Sequence, residues 1–312
     1  MRRVAWKALY MIPVALTVTL VTYLLLNLLP GDVTALMLGD EAPKAAIEQT
    51  RQALHLDDPV LLRYGRWLLA ALGGDLGRSY ITGQQVAEAL GERFMVSCQL
   101  MLMAQGLALL LAVPTGILAG YRAGRPIDRL LTGAAFGIVS LPIFVQSMLL
   151  MIVFAVVLRW LPSTGYVEFG DDPWGSLRSL VLPAVAIGLA EWPALMRVLR
   201  SDIIATLQED FILLARSKGL PPGHVLFRHA LRPSCLSIVT VIGLQIAGLI
   251  NGALIVETIF ALPGLGRLLV EAVHARDLLI VQGAVTLIAV IYVVANLGVD
   301  LLYAAIDPRI RR

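Results

Sequence analysis

PSCLSIVTVIGLQIAGLINGALIV, residues 233–256, runs for 24 residues without an Asp, Glu, Lys or Arg. A helix needs about 20 consecutive apolar residues to cross the hydrocarbon of a bilayer. Within lipid it is also the only unclosed structure that pairs all its own backbone groups. This segment therefore predicts a membrane-spanning helix, and five similar runs surround it. Ala8–Gly31, Phe94–Tyr121 and Leu130–Leu158 precede it, as does Ser179–Met196, which is interrupted only by Glu191. Leu278–Val299 follows, with Asp300 at its end. The chain is expected to be all-α and polytopic, with six transmembrane helices.

Composition agrees. Of 312 residues, 58% are hydrophobic and 15% charged, and the mean hydropathy is +0.80. Soluble domains are about half apolar and about a quarter charged, so a soluble two-domain enzyme is excluded, as is a disordered chain. Cys98 and Cys235 lie inside apolar runs and read as small buried hydrophobes. No CxxC or HExxH spacing predicts a metal site. Arg2, Arg3 and Lys7 before the first run suggest a signal peptide. That run is long enough to span, and Leu28-Leu29-Pro30-Gly31-Asp32 closes it in place of a small-residue cleavage site, so a retained helix is expected.

Lys and Arg collect on the cytoplasmic side of membrane proteins. With the N-terminus inside, the inner segments hold 15 basic residues and five acids, and the outer segments 10 basic and 15 acidic. Both termini are expected in the cytoplasm. The chain then divides into residues 1–31 (tail and first span), 32–93 (an extracytoplasmic segment) and 94–312 (a five-helix core).

Within 32–93, one helix is expected over Pro43–Leu56. A second, after Pro59, is amphipathic through Val60, Leu61, Tyr64, Trp67 and Leu68 and suited to the outer membrane surface. Arg159–Arg178 reads as an outer loop, and a short helix is expected around Leu268–Val273. The longest inner stretch, 197–232, is too short for a catalytic domain. Thr206 and Glu209 have capping-box spacing, predicting a helix from Leu207 with Phe211, Leu214 and Ala215 on one face. Gly219 with Pro221-Pro222 would stop it, and a second short helix would cover Val225–Leu231. Ala215 and Gly219, four apart, would let a partner's backbone approach closely; Gly219 is also simply the favoured residue after a helix end.

Polar groups inside the spans are candidates for lining a pathway or for gluing helices together: Gln146, Ser147, Gln245, Asn251 and Gln282. Pro114 and Pro142 would kink their helices. Glu191 is expected near the inner end of its span, paired with Arg197 or Arg200, and Asp300 with a basic residue of the cytoplasmic layer. A channel would need a pore-lining ring or filter, and an intramembrane protease its mid-span acids, metal ligands or a Ser/His pair. Neither pattern is visible, since His55, His224, His229 and His274 lie outside the runs. A non-transporting scaffold stays open.

Several strings, in order, carry a resemblance: Leu29-Pro30-Gly31-Asp32, Leu56-Asp57-Asp58-Pro59, Gly74-Asp75-Leu76-Gly77-Arg78-Ser79, Ala215-Arg216-Ser217-Lys218-Gly219, His229-Ala230-Leu231-Arg232, Val256-Glu257-Thr258-Ile259-Phe260, Pro263-Gly264-Leu265-Gly266 and Asp307-Pro308-Arg309. The chain resembles the permease subunit of a binding-protein-dependent ABC importer, in the dipeptide/oligopeptide/nickel branch. The resemblance implies a type I importer permease fold in the bacterial inner membrane, no catalysis by this chain, and no cofactor of its own. ATP and Mg would be held by two partner ATPase subunits, consistent with the lack of a GxxxxGK[ST] loop here. The other implied partners are a second permease, usually a paralogue, an extracytoplasmic binding protein and membrane lipid; nucleic acid is not one. Asp210, Phe211, Leu214, Ala215, Arg216, Lys218 and Gly219 would form the coupling helix that sits in a cleft of the ATPase. Leu213 and Leu214 stand where the general permease motif has Glu and Ala, Val33 where this branch often has Pro, and Ser217 where it often has Ala. The branch carries dipeptides, longer peptides, nickel, glutathione-like peptides and haem.

Overall fold

The computed structural model describes residues 2–28, 34, 38, 43–53 and 55–306, with backbone alone at 2–12, 235–236, 300 and 302–306. The strings around Pro30 and Pro308, the side chain of Asp300 and that of Cys235 lie outside the described residues. The helices are α1 (Arg2–Leu28), α2 (Lys44–Ala53), α3 (Val60–Leu72), α4 (Val86–Tyr121), α5 (Pro126–Val139), α6 (Ile143–Leu150), α7 (Pro173–Thr206), α8 (Asp210–Ser217), α9 (Pro222–His224), α10 (Leu231–Ile259), α11 (Leu265–Ala275) and α12 (Leu278–Ile306). Among the described residues, four helices are long and apolar enough to cross a membrane: α4, α7, α10 and α12. The bent pair α5–α6, counted as one broken span, would be a fifth, and Pro13–Leu28 in α1 is a shorter apolar stretch.

The third run breaks more sharply than the kink expected at Pro142. Its two halves meet at 101°. Pro142 has extended backbone (φ −57°, ψ 145°) and stands before α6 rather than kinking a continuous helix. A break inside an apolar layer strips carbonyls of their helical donors. Gln146 repairs it, donating Nε2–H to the Ile138 and Leu141 carbonyls at 2.8 Å each. After α6 the chain widens into a π-helical stretch, Met151–Val157. By contrast, α4 runs unbroken through Pro114.

Other helix ends also move. α2 is shorter than Pro43–Leu56, and α11 longer than Leu268–Val273. Asp172 caps α7 by accepting from Trp174 N–H, with Pro173 at the first helical position, so the outer loop ends there and not at Arg178. The predicted helix start at Leu207 does not form. Thr206 instead ends α7, and α8 starts after Glu209 with Asp210 in its first turn, where the helix dipole favours an acid. Val225–Ala230 is π-helical and flows directly into α10.

The chain forms two compact units. The first comprises Met1–Ser97 with Pro263–Val294. Its apolar core includes Val86, Leu90, Leu265, Ile280 and Val281. In it, Tyr64 and Trp67 of α3 are buried and cluster with Tyr23 of α1, while Leu61, Leu69 and Leu72 stay exposed. The amphipathic helix thus spends its aromatic residues on α1 and keeps a separate leucine face. The second unit comprises Cys98–Leu262 with Ala295–Arg312. Its centre is α7, whose residues Leu195, Met196, Leu199 and Ile203 are fully buried. Gly116 and Gly120 of α4 let it approach, since a Cβ at either would meet Leu199 or Ile203 at 3.0 Å.

Candidate functional site

One end of the second unit is built outward from the C-terminal turns of α7. Its final turns and α8 share one core: Ile212 and Ala215 of α8 pack with Leu199 and Ile203 of α7 and with Val225, Leu226 and Ala230. The remaining sides of α8 are open. Phe211, Leu213 and Leu214 are 46%, 54% and 56% exposed, an apolar knob flanked by the exposed Arg216 and Lys218. Ala215 is only 6% exposed. It therefore does not share a face with Phe211 and Leu214, as the spacing had suggested, but anchors the helix.

Gly219 has φ +77°. The N–H groups of Gly219 and Leu220 reach back to the Arg216 and Ala215 carbonyls at 2.9 and 3.4 Å. These two bonds are the Schellman ending, which needs a left-handed residue at this position. Nothing lies within 4 Å of where a Cβ would stand, so the glycine answers to backbone conformation and not to crowding within this chain.

A second fixture braces the same end. Asp128, 3% exposed, accepts from Arg200 Nε and Nη2 at 2.6 and 2.8 Å, and from Gly124 N–H at 2.8 Å. The fork joins the first turn of α5 to α7, and the Gly124 bond ties in the turn before it. Beside it, Arg122, Arg125 and Arg216 line a cavity of about 420 Å³ with Tyr121, Leu207 and Val225.

The polar span residues are dispersed. Gln146 and Ser147 are buried, Gln146 at the α5–α6 break and Ser147 donating to the Ile143 carbonyl at 2.8 Å. Gln282, in the first unit, is buried and donates to the Thr19 carbonyl at 2.9 Å. Gln245 donates to the backbone carbonyl of Glu191 at 2.9 Å. Asn251 alone of the five is exposed. Glu191 is not paired as expected: Arg200 is taken by Asp128, and the Arg197 guanidinium lies 5.6 Å over the Phe136 ring. Nor is it near a helix end, because α7 continues to Thr206 and places Glu191 mid-helix. Sequence reasoning missed the Asp128–Arg200 fork. It also missed Gln105 of α4, whose buried amide has no partner at either atom among the described residues; a lone amide in an apolar run was the signal available.

Residues 112–312 match the family described as the binding-protein-dependent transport system inner membrane component, and residues 1–103 match its N-terminal counterpart. A Brucella abortus (strain 2308) protein, provisionally named a peptide transport system permease protein, is 42% identical over 96% of both chains. A glutathione transport system permease protein of Escherichia coli O6:H1 is 36% identical over 98% of this chain and 97% of its own. A dipeptide transport system permease protein of Alkalihalophilus pseudofirmus is 33% identical over 98% of each. A chain from an inward-facing structure of the MetNI methionine ABC transporter shares the fold (TM-score 0.54, 14% identity), covering 70% of this chain and 96% of its own.

Proposed function

The chain belongs to the family of binding-protein-dependent transport system inner membrane components, and from that premise we propose that it forms half of the translocation pathway of an ATP-driven peptide importer. It spans the bacterial inner membrane six times, α1 and the bent α5–α6 pair included, with both termini in the cytoplasm and a type I importer topology. It holds no cofactor and performs no catalysis. Two ATPase subunits bind ATP and Mg, a second and paralogous permease completes the pathway, and an extracytoplasmic binding protein delivers cargo.

The observation that supports this reading best is the two-sided build of α8. Ile212 and Ala215 fasten it to the end of α7, and Phe211, Leu213 and Leu214 project into solvent. Exposed apolar clusters on a basic surface are costly unless a partner covers them. We assign Asp210, Phe211, Leu214, Arg216, Lys218 and Gly219 to the coupling surface, and Ala215 to its anchor. ATPase closure pushes α8, and its tie to α7 carries that motion into the spans as a rigid-body shift. Peptide cargo is supported by the relatives named for peptide, dipeptide and glutathione transport.

The test is reconstitution of the permease pair, ATPases and binding protein in proteoliposomes. ATP-dependent accumulation of a labelled dipeptide is expected. ATP turnover stimulated by the binding protein without uptake of any peptide would refute the cargo reading. Failure of the ATPases to co-purify would refute the coupling reading.

A further inference from the structure

Glu191 of α7 and Gly248 of α10 meet near the middle of their helices. A Cβ on Gly248 would stand 2.7 Å from Glu191 Oε1, so the carboxylate occupies space that any other residue would fill. Gly248 is exposed, as are Leu244 and Asn251 on the same face of α10. Glu191 is partly exposed there too. A carboxylate and an amide cannot economically face lipid tails, so this face borders protein or water.

Among the described residues, no cation pairs with the Glu191 carboxylate. The nearest cations along α7 are committed elsewhere, Arg200 to Asp128 and Arg197 over Phe136. Gln245, 8% exposed, gives an N–H to the Glu191 backbone, and its Oε1 is buried with no hydrogen-bond partner among the described residues. An ammonium group supplies a positive charge and three donors in a compact head, and it matches this pairing of carboxylate and amide oxygen.

We infer that Glu191, with Gln245 and the open face at Gly248 and Asn251, forms a pathway subsite for the α-ammonium group of the transported peptide. The inference rests on the peptide reading above. Glu191 then sets specificity within the membrane, after the binding protein has made its own selection.

The experiment uses the complete transporter in proteoliposomes, at matched membrane abundance. Two cargoes are supplied at equal occupancy of the binding protein: a free-amine dipeptide and its N-acetylated form. E191Q should lower uptake of the free-amine dipeptide about tenfold or more, the scale of a lost charge-assisted hydrogen bond. Uptake of the acetylated form should stay within about twofold, since it offers no charge to that bond, and E191D should restore much of the loss. Unchanged free-amine uptake in E191Q overturns the assignment. So does an equal loss for both cargoes, which marks a structural role. Dissociation of the two permease chains in E191Q also overturns it, in favour of an ion pair between subunits. If the wild-type complex responds to the loaded binding protein yet takes up neither peptide, the peptide reading falls first and carries this inference with it.

Discussion

Arg200 holds Asp128 in a two-armed grip, Nε to Oδ1 at 2.6 Å and Nη2 to Oδ2 at 2.8 Å, across 72 residues of chain. The carboxylate is nearly out of solvent, and Gly124 N–H adds a third bond. Removing one side of such a pair leaves the other charge buried, at a cost of about 3 kcal/mol or more when burial is complete. Arg200 keeps 28% side-chain exposure, which moderates that figure. D128N is therefore expected to lower the thermal stability of the detergent-purified protein clearly. R200K, which keeps charge but not the fork, should fall in between. A melting temperature unchanged in both variants would show that solvent carries the pair.

Gly219 separates two explanations of a small residue at the end of α8. Its φ of +77° penalises any side chain, while the space around its missing Cβ is open within this chain. If backbone conformation alone matters, G219N should keep uptake per ATP close to wild type, because Asn tolerates the left-handed region. G219V should lose coupling, since a β-branched residue is a true outlier there. If G219N and G219V lose coupling equally at normal membrane abundance, a partner's close approach is the constraint. The measurement is the ratio of uptake to ATP hydrolysed.

The long helices were legible because lipid imposes a one-dimensional rule: a long uncharged run must be a helix. Their ends were not, since α7 continues through Arg197, Arg200 and Asp202 to Thr206. Charged residues do not stop a helix whose buried face, Leu199 and Ile203, is still being repeated. The orientation of α8 could not be read either. Phe211, Ile212, Leu213, Leu214 and Ala215 are apolar all the way round, so periodicity named no inner face. Only packing against α7 chose Ile212 and Ala215. The partner of Glu191 was misjudged for the same reason: Arg200 lies nearer in sequence, but the fold brings Asp128 to it.

Anchor and knob on α8 should separate by substitution. Ile212 is fully buried against α7, so I212A should destabilise the protein by about 2–4 kcal/mol through lost burial and a residual cavity. Leu213 is its neighbour in sequence but is exposed. L213S, alone or with F211S, should leave thermal stability within about 0.5 kcal/mol, as surface substitutions usually do. It should nonetheless reduce ATPase recovery on co-purification. Equal ATPase recovery from the double variant and the wild type would place the coupling surface elsewhere.

Gln146 offers the sharpest separation of glue from pathway. Its amide nitrogen serves two carbonyls at the 101° break between α5 and α6, Ile138 and Leu141. Q146L keeps the bulk but removes both bonds; Ile138 keeps its bond from Leu141 N–H, while the Leu141 carbonyl loses the Gln146 donor, at about 1–3 kcal/mol where water cannot reach it. Asn251 is exposed on α10. Q146L should therefore lower thermal stability and reduce uptake of every cargo in proportion to protein lost. N251L should leave stability unchanged and alter uptake alone. Thermal unfolding and uptake measured on the same two preparations would decide it. A stable Q146L with cargo-selective loss would return Gln146 to the pathway wall.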